Sequence, residues 1–470
     1  MPNSQEATNG STESTLPVVI IGGGITGLSV AAGLARRGKP FVILEAADRL
    51  GGQIRTIKRQ GYTFEVGPNT GTVSTPEVAE LFEFASSARL EVANETAKAR
   101  WIWQQDRFRP LPSGLLSAAT TPLFTFRDKL RVLGEPWRKR GTNPNETVGE
   151  LAARRLGKSF VRNAVDPFIG GIYAGDPYRL VTRFALPKLY NLEANHGSFI
   201  RGSIAKMRTP KTDRDRKATK QVFSAEGGLT ALVDALETAL QPHGKILTGV
   251  QNVSAKMLAP HQWQVSFTHQ GQAQELIAQT VVSTVRADLL APIFPDLTGK
   301  LAPIESLRYA PVAEVVFGYD HLPSVNRKAF GGLVPSEENR DVLGILFPSS
   351  CFAGRTPHPD SALFTVFVGG MRRGQKLLSL AEDELVALAR REVENMLQIP
   401  QGVSPDLVEV ARYPKAIAQY EASTEQRLER ISQLEYDYPG LILAGAIRDG
   451  IGLAHRITQG SQIGAMLAVN

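Results

Sequence analysis

Residues 17–52 read PVVIIGGGITGLSVAAGLARRGKPFVILEAADRLGG, and this stretch decides the fold. The apolar run over residues 17–21 is typical of a buried parallel strand. Glycines follow, and then a segment with helical periodicity that closes on Gly38, the residue type that most often ends a helix. Residues 41–45 form a second apolar run. Strand, helix and strand in this order predict a βαβ unit, and with it a doubly wound, Rossmann-like α/β domain.

The glycines between the first strand and the helix follow the pattern G-x-G-x-x-G. Gly22 permits a tight turn, Gly24 lets a pyrophosphate approach the backbone, and Gly27 lets the helix pack closely on the strand. Glu45 ends the second strand, where a carboxylate can accept hydrogen bonds from ribose hydroxyls. Together these residues predict a dinucleotide site at the start of the helix. The pattern by itself also fits a glycine-rich turn without a ligand.

The chain has 470 residues, 42% of them hydrophobic and 21% charged, which is enough for two or three globular domains. Its single cysteine, Cys351, excludes a disulfide framework and a cysteine metal site within one chain, and we expect a buried, neutral thiol. No metal site is predicted. The net charge of +7 favours an anionic partner, such as a lipid surface or a carboxylated substrate, over a nucleic acid.

Residues 1–16 are polar, rich in Ser, Thr and Asn, and predicted to be a disordered tail. They lack Arg, Lys and any apolar stretch, which argues against a transit peptide and a signal peptide. No apolar run reaches the length of a membrane span. We therefore expect a cytoplasmic protein, either soluble or attached to a membrane surface.

Helix-like segments with many basic residues occupy the region from about residue 94 to residue 220. Residues 127–140 read RDKLRVLGEPWRKR, and residues 201–220 carry eight basic side chains. A solvated helical face explains both segments, and a membrane contact is the alternative. Strand-like runs lie further along the chain, at residues 263–267, 280–284, 313–319, 343–347, 363–370 and 441–446.

Three further motifs resemble the superfamily of FAD-binding amine oxidases and desaturases. They are the R-x-G-G sequence of residues 49–52, GYTFEVGPN over residues 61–69, and the strand, glycine turn and helix of residues 440–460. The resemblance implies non-covalent FAD. The cofactor-binding residues it implies, together with those of the glycine motif, are Gly22, Gly23, Gly24, Ile25, Thr26, Gly27, Glu45, Ala46, Arg49, Gly51, Gly52, Gln53, Gly67, Pro68, Asn69, Thr70, Val250, Tyr413, Gly445, Ile451, Gly452 and Leu453.

Within that superfamily the chain resembles the oxygen-dependent protoporphyrinogen oxidases. The resemblance rests on five segments in the family's order, namely residues 167–180, 196–202, 330–338, 343–352 and 365–372. It implies oxidation of protoporphyrinogen IX to protoporphyrin IX in haem biosynthesis, with O2 as acceptor and H2O2 as product. Three alternatives stay open: a coproporphyrinogen III oxidase, another amine oxidase or desaturase, and a porphyrin-binding protein without catalysis.

The same resemblance implies a fold in three parts. An FAD-binding domain is assembled from residues 17–93, 206–300 and 436–470. A substrate domain with a mixed sheet spans residues 301–435. A helical domain over residues 94–205 rests on an anionic membrane, which places the protein on the inner face of a bacterial plasma membrane. The implied protein partners are ferrochelatase, as the next enzyme of the pathway, and a second copy of the chain.

The pocket implied by the resemblance is broad, apolar and poor in acid–base residues. No general acid or base is expected, because a hydride leaves the substrate for the flavin. The implied substrate-binding residues are Asn69, Gly171, Leu333, Leu346 and Phe367. As single residues, each of the apolar side chains is more often ordinary core.

The sequence departs from the family's pattern in three places. Ala418 precedes Gln419 and Tyr420 where relatives often have Pro, and residues 454–456 read AHR where relatives often have Asn-Asp-Cys. Asn69 stands where some relatives have an Arg that is thought to steady a substrate propionate. A propionate clamp, if this chain has one, is therefore expected elsewhere.

Overall fold

The computed structural model describes residues 17–112, 114–322 and 325–469. The tail predicted to be disordered, residues 1–16, lies outside the described residues. The strands are β1 (Val18–Ile21), β2 (Phe41–Leu44), β3 (Thr56–Arg59), β4 (Tyr62–Glu65), β5 (Gly71–Thr72), β6 (Leu90–Val92), β7 (Trp101–Trp103), β8 (Phe108–Pro110), β9 (Val222–Ala225), β10 (Lys245–Leu247), β11 (Gln251–Ala259), β12 (Gln262–His269), β13 (Gln272–Ala278), β14 (Thr280–Ser283), β15 (Tyr309–Tyr319), β16 (Gly331–Leu333), β17 (Val342–Leu346), β18 (Ala362–Gly369), β19 (Leu407–Ala418) and β20 (Leu441–Leu443).

The α-helices of the described residues are α1 (Ile25–Ala35), α2 (Pro76–Phe84), α3 (Leu115–Thr120), α4 (Phe126–Leu133), α5 (Val148–Arg155), α6 (Lys158–Phe160), α7 (Asp166–Tyr173), α8 (Thr182–Ala185), α9 (Pro187–His196), α10 (Phe199–Arg208), α11 (Asp213–Arg216), α12 (Thr230–Leu240), α13 (Leu290–Ile293), α14 (Ala302–Glu305), α15 (Pro348–Cys351), α16 (Gly370–Leu378), α17 (Glu382–Leu397), α18 (Thr424–Asp437) and α19 (Leu453–Leu467).

A five-stranded parallel sheet in the order β10-β2-β1-β14-β20 forms the first domain. Its inner strands are short apolar runs whose residues are all buried, as expected for a parallel sheet covered on both faces. Helices α1 and α19 pack together where Gly33 meets Gly464, since a Cβ on Gly33 would lie 2.9 Å from the Gly464 Cα. The predicted βαβ unit and doubly wound domain are confirmed, and the two ends of the chain share this domain.

A seven-stranded mixed sheet in the order β19-β15-β18-β17-β16-β7-β8 forms the second domain. The two faces of this sheet are covered by different parts of the molecule. Val315 and Phe317 of β15 belong to a core shared with α17, whereas Val316 packs with Tyr62 and Phe64 of β4 in the first domain. The face that carries Val316 therefore looks toward the glycine-rich turns, and we call it the inner face.

Strands β7 and β8 extend the second sheet from its far edge, because β7 pairs in parallel with β16. The helical segment therefore begins after residue 110, and the boundary predicted at residue 94 is too early. Helices α3 to α10 follow, up to residue 208. The paired strands β7 and β8 have three residues each, which is too short to leave a strand periodicity in the sequence.

Candidate active site

The N-terminus of α1 is open and lacks a side-chain cap. Gly24 is the N-cap residue, and no side-chain hydrogen bond caps the helix at this position. A Cβ built on Gly24 would meet nothing within 4 Å. Ile25 and Thr26 continue into the first turn. Free N–H groups and the helix dipole make such an end a binding site for an anion. The open space in front of Gly24 fits a pyrophosphate.

Gly27 seats this helix on the turn before it. A Cβ on Gly27 would lie 2.0 Å from the carbonyl oxygen of Gly22, a contact that no side chain can occupy. Gly22 itself has a φ of +106°, which a residue with a side chain rarely adopts. The roles of these two glycines in shaping the turn therefore agree with the roles assigned from the sequence.

Glu45 lies beside the same turn, immediately after β2. Its Oε2 accepts the N–H of Gly23 at 2.6 Å, and its Oε1 accepts the N–H of Ala47 at 2.8 Å. Its backbone carbonyl accepts the N–H of Val250 at 3.0 Å. Each carboxylate oxygen keeps a second lone pair for a ligand. The contacts of Glu45, Ala46 and Val250 with the nucleotide stay predictions.

Arg49 braces the R-x-G-G loop from within. Its guanidinium donates to the carbonyl oxygens of Leu50 at 3.0 Å, Gly52 at 2.9 Å and Ile54 at 2.9 Å. The loop is also tied to the helix start, because the N–H of Gly51 donates to the carbonyl of Gly23 at 2.9 Å. In the structure Arg49 therefore positions the loop, and a direct contact of Arg49 with FAD stays a prediction.

The Gly-Pro-Asn turn of residues 67–69 packs directly on that loop. Gly67 has a φ of +111°, and a Cβ on it would lie 2.2 Å from the carbonyl oxygen of Gln53. The hydroxyl of Tyr413 is 3.6 Å from the same Cβ position. Gln53, Gly67, Pro68 and Tyr413 thus come together from three separated segments, as the resemblance implies.

The C-terminal glycine turn meets the same edge of the first sheet, because β20 pairs with β14 and β14 with β1. Helix α19 begins after Gly452, again without a side-chain cap, and Leu453 is its first residue. A Cβ on Gly460 would lie 2.4 Å from the carbonyl oxygen of Thr26, so α19 lies tightly against α1. Gly445 and Ile451 belong to this turn, which places the second predicted glycine turn next to the first.

The AHR segment has a structural explanation. Arg456 forms an ion pair with Asp449 at 2.5 Å and donates to Gln459 at 3.1 Å, and Gln459 in turn donates to Asp449 at 2.9 Å. Burial lowers the pKa of His455 and favours its neutral form. Arg456 and Gln459 therefore hold the turn that leads into α19.

Gln419 and Tyr420 tie neighbouring elements to the end of β19. The Gln419 amide donates to the carbonyl of Tyr173 at 2.8 Å, at the end of α7. The Tyr420 hydroxyl donates to the carbonyl of Ala446 at 3.0 Å, in the C-terminal turn. These contacts do not involve Ala418, so its difference from the family's Pro leaves them in place.

The apolar substrate residues predicted from the resemblance share the inner face of the second sheet. Phe367 of β18 is directly opposite Gly344 of β17, which is opposite Leu333 of β16. Leu346 is two residues from Gly344 and so projects to the same side. Leu333, Leu346 and Phe367 therefore form one apolar row, although each comes from a different strand.

Gly171 and Asn69 adjoin this row from the other elements. A Cβ on Gly171 would lie 2.3 Å from a methyl group of Leu333, so α7 approaches the sheet at this glycine. Asn69 and Thr70 line a small cavity together with Leu346. The structure thus brings the five predicted substrate residues to one place, and their contacts with a substrate stay predictions.

The structure adds a residue that the sequence reasoning missed. Glu314 of β15 is directly opposite Phe367 on the inner face and is 4% exposed. Its Oε1 accepts the N–H of Gly67 and its Oε2 accepts the Asn69 amide, both at 3.2 Å. Burial raises the pKa of Glu314 to about 8. A signal was present, because Glu314 is the one acid in the apolar run of residues 310–319.

Two other ionisable groups of the region, Glu65 and Cys351, are buried side chains with raised pKa values. Burial raises the pKa of Glu65, which accepts the N–H of Leu229 at 2.8 Å and the hydroxyl of Thr56 at 2.7 Å. Burial also raises the pKa of the Cys351 thiol to about 12, which confirms the predicted buried, neutral cysteine. Among the described residues no group of His, Cys, Asp and Glu is arranged to hold a metal ion.

Comparison with known proteins identifies the family. The model of the flavin-containing amine oxidoreductases matches residues 25–454. Human protoporphyrinogen oxidase is 31% identical, with 95% of this chain and 97% of the human protein covered. The chain belongs to the protoporphyrinogen oxidase family of flavin-containing amine oxidoreductases. Protoporphyrinogen oxidase 2 of Arabidopsis thaliana is 29% identical over 94% of this chain and 92% of its own length.

A solved structure supports the fold of this family member. The crystal structure of an Exiguobacterium protein superposes with a TM-score of 0.77 and 23% identity, covering 97% of this chain and 99% of the other. The chain is an oxidoreductase, and FAD is its cofactor. The open helix start at Gly24, the cradle of glycines and the carboxylate of Glu45 fit the pyrophosphate and ribose of FAD.

Proposed function

We propose that this flavoprotein oxidises protoporphyrinogen IX to protoporphyrin IX with O2 as acceptor and H2O2 as product, in haem biosynthesis. The observation that carries the proposal is the apolar row of Leu333, Leu346 and Phe367 beside the Gly-Pro-Asn turn. Apolar side chains, among them the flat ring of Phe367, suit an uncharged tetrapyrrole core. Relatives that match nearly the whole chain carry the name protoporphyrinogen oxidase.

The chain's own residues bind, orient and shield the substrate in this account. When bound, FAD supplies the two-electron acceptor for the reaction. Phe367 and Leu346 hold one face of the macrocycle, and Gly171 lets the backbone of α7 come close to its edge. A dry, apolar pocket also keeps water away from the reacting carbon.

The substrate end of the site favours a substrate with few carboxylates. Asn69 occupies the position where some relatives carry an arginine, and its amide is engaged by Glu314 and by the carbonyl of Gly67 at 3.0 Å. A propionate at this turn would face the Glu314 carboxyl instead of a cation. We therefore propose protoporphyrinogen IX, with two propionates, over coproporphyrinogen III, with four.

Steady-state kinetics with both porphyrinogens test this proposal. Porphyrin fluorescence and H2O2 release should appear together, with a higher kcat/KM for protoporphyrinogen IX than for coproporphyrinogen III. A higher kcat/KM for coproporphyrinogen III would reverse the assignment of the substrate. Turnover of amines without turnover of either porphyrinogen would move the chain to another branch of the family.

An exposed apolar patch on the helical segment supports attachment to a membrane. Phe126, Leu130, Leu133 and Trp137, here called the α4 patch, are 74%, 51%, 65% and 79% exposed. Basic residues at positions 127 and 138–140 flank the α4 patch residues in the sequence. Exposed apolar side chains with Lys and Arg close by in the sequence fit the interface of an anionic bilayer. We propose that this patch rests on the inner face of a bacterial plasma membrane.

Vesicle sedimentation tests the membrane proposal. Phe126→Ser with Trp137→Ser should reduce binding to anionic vesicles, while oxidation of substrate in detergent is unchanged. Tyr436→Ser, at an 81% exposed position of α18, is a matched control that should bind like the parent protein. Equal binding by all three proteins would assign the α4 patch to solvent or to another protein. No helix among the described residues is long and apolar enough to cross a bilayer.

Two protein partners belong to the same proposal. Transfer of a poorly soluble porphyrin to ferrochelatase would be favoured if both enzymes share the membrane surface. A homodimer is proposed as well. Sedimentation of the purified protein, alone and with ferrochelatase, distinguishes a monomer from either assembly.

A further inference from the structure

Glu314 is a buried carboxyl group that forms no ion pair with any cation among the described residues. In the described part of the chain its carboxyl oxygens accept two hydrogen bonds, one from the backbone N–H of Gly67 and one from the side-chain amide of Asn69. Neither donor carries a charge, and both distances are 3.2 Å, which is long for a bond to an ionised carboxylate. A carboxyl group in such surroundings holds its proton more firmly than an exposed one.

The groups around Glu314 do not offset the rise in its pKa that burial causes. Glu65, an acid on the neighbouring hairpin, disfavours ionisation of Glu314 further. Tyr413 on β19 is close enough for Glu314 to help raise the pKa of the tyrosine to about 12, with burial as the main cause. The charges of Arg55 and Arg49 act in the opposite direction and lower the pKa of Tyr413. The strand on the other side presents Phe367, which is apolar.

The position of Glu314 joins the two halves of the site. It lies on a strand of the second sheet, and it contacts the turn of the first domain that carries Asn69. The same face carries Phe367, and it carries Leu346, which lines the small cavity beside Asn69. A titratable group at the meeting point of cofactor and substrate elements is a candidate for the chemistry, whereas a carboxyl used only for folding is usually paired with a cation.

We propose that Glu314 is a catalytic residue that accepts the pyrrole N–H proton released in each two-electron oxidation of a porphyrinogen. This rests on the proposed function. The pyrrole N–H bond breaks, its electron pair enters the new double-bond system, and the proton forms an O–H bond at Glu314. The C–H bond of the bridging carbon breaks in the same oxidation, and bound FAD would supply the acceptor for its hydride, with O2 as the final acceptor of the two electrons. Glu314 releases its proton to water before the next cycle.

The predicted substrate residues and Tyr413 cannot take this role, and both carboxyl oxygens of Glu65 are already engaged by Leu229 and Thr56. Asn69 has no acid–base chemistry near neutral pH, and Leu333, Leu346 and Phe367 are apolar. Tyr413 stays protonated at neutral pH, because its pKa is raised to about 12. Glu314 is left as the inner-face group that exchanges a proton near neutral pH.

The pH dependence of single-turnover flavin reduction is the first test. Because the base form of Glu314 grows with pH, the rate in the parent protein should rise tenfold per pH unit and level off near pH 8. Glu314→Gln should lower the plateau by roughly 10²–10⁴-fold and remove the inflection. Glu314→Asp, which keeps a carboxyl group, should recover part of the rate and restore an inflection.

Glu392→Gln is the matched control, because Glu392 is a buried carboxyl on α17 that is paired with Arg340 at 2.9 Å. It should reproduce the parent profile. FAD content and Tm of each variant show that the protein is folded. A folded, FAD-loaded Glu314→Gln variant with the parental rate and inflection would overturn the proposal, while the proposed function would stand.

Infrared titration of the FAD-loaded protein without substrate is the second test. A carboxylic-acid C=O band should disappear on raising the pH through about 8 and be missing in Glu314→Gln. A band for Glu314 that titrates near the ordinary pKa of glutamate would overturn the proposal. This readout does not depend on which substrate the enzyme oxidises, so it separates failure of the inference from failure of the proposed function.

Discussion

Glu45 and Glu314 are two carboxyl groups at opposite ends of one site, and their surroundings differ. Glu45, at the nucleotide end, accepts two backbone N–H groups at 2.6 and 2.8 Å and adjoins a helix start. Glu314, at the substrate end, is 4% exposed and accepts hydrogen bonds from two uncharged donors, each at 3.2 Å. The first arrangement fixes the position of a carboxyl group beside the helix start, and in the second burial raises the pKa of the carboxyl group to about 8. We propose that the same type of side chain serves recognition at one end and chemistry at the other.

The largest expected effect is the loss of FAD binding when the glycine turn at the nucleotide end is disrupted. Gly27→Ala places a Cβ 2.0 Å from the Gly22 carbonyl, so the turn and helix cannot both keep their positions. We expect loss of bound FAD together with a lower Tm. Gly24→Ala is the informative partner, since its Cβ enters open space in the protein alone. Gly24→Ala should leave the Tm of the FAD-free protein unchanged and weaken FAD binding. If Gly27→Ala and Gly24→Ala lowered this Tm equally, the different roles assigned to the two glycines would be contradicted.

Glu45→Ala tests the same end of the site by removing one hydrogen-bond acceptor for FAD. Hydrogen bonds to a charged group contribute about 1.5–3 kcal/mol. The FAD dissociation constant should therefore rise by roughly ten- to a hundredfold, measured by fluorescence titration of FAD-free protein. A folded variant that binds FAD as tightly as the parent would remove Glu45 from the cofactor site.

Phe367→Met tests the substrate end without opening a cavity, because the two side chains have similar volumes. Loss of a flat aromatic contact is worth about 0.5–1.5 kcal/mol, so KM for protoporphyrinogen should rise by roughly two- to tenfold. FAD content and Tm should stay at parental values. Lowered stability with unchanged kinetics would show that Phe367 is only part of the core.

A separate effect concerns stability at the substrate end. Below its ordinary pKa of 4.5, Glu314 is protonated in both the folded and the unfolded chain. As the pH rises toward about 8, the unfolded chain releases this proton while the folded protein retains it, so stability is lost across that window. Urea unfolding at pH 5 and pH 8 should show a smaller loss for Glu314→Gln than for the parent or for Glu392→Gln. An equal loss in all three proteins would show that Glu314 is not the group responsible.

The nucleotide end could be predicted from the sequence because its geometry is local. Gly22, Gly24, Gly27 and Glu45 stand in one βαβ unit, and their spacing alone places them around a helix start. The sequence also predicts strands at residues 313–319, 343–347 and 363–370, and β15, β17 and β18 confirm them, although residues 347 and 370 lie just beyond the observed strands.

The substrate end depends on pairing between distant strands, which leaves little local signal. The pairing of β7 with β16 joins residues more than 200 positions apart, so residues 101–110 were assigned to the helical part. Glu314 was passed over because its neighbours in space, Gly67 and Asn69, are equally distant in sequence. Arg49 shows a third limit, since its hydrogen bonds within the loop could not be predicted from the motif, while its contact with the cofactor stays a prediction.

Anaerobic mixing of the FAD-loaded protein with protoporphyrinogen IX tests the central claim most directly. The flavin absorbance should bleach, and admission of O2 should restore it with release of H2O2 and the appearance of porphyrin fluorescence. Folded, FAD-loaded protein whose flavin stays oxidised with protoporphyrinogen IX and with coproporphyrinogen III would contradict the account.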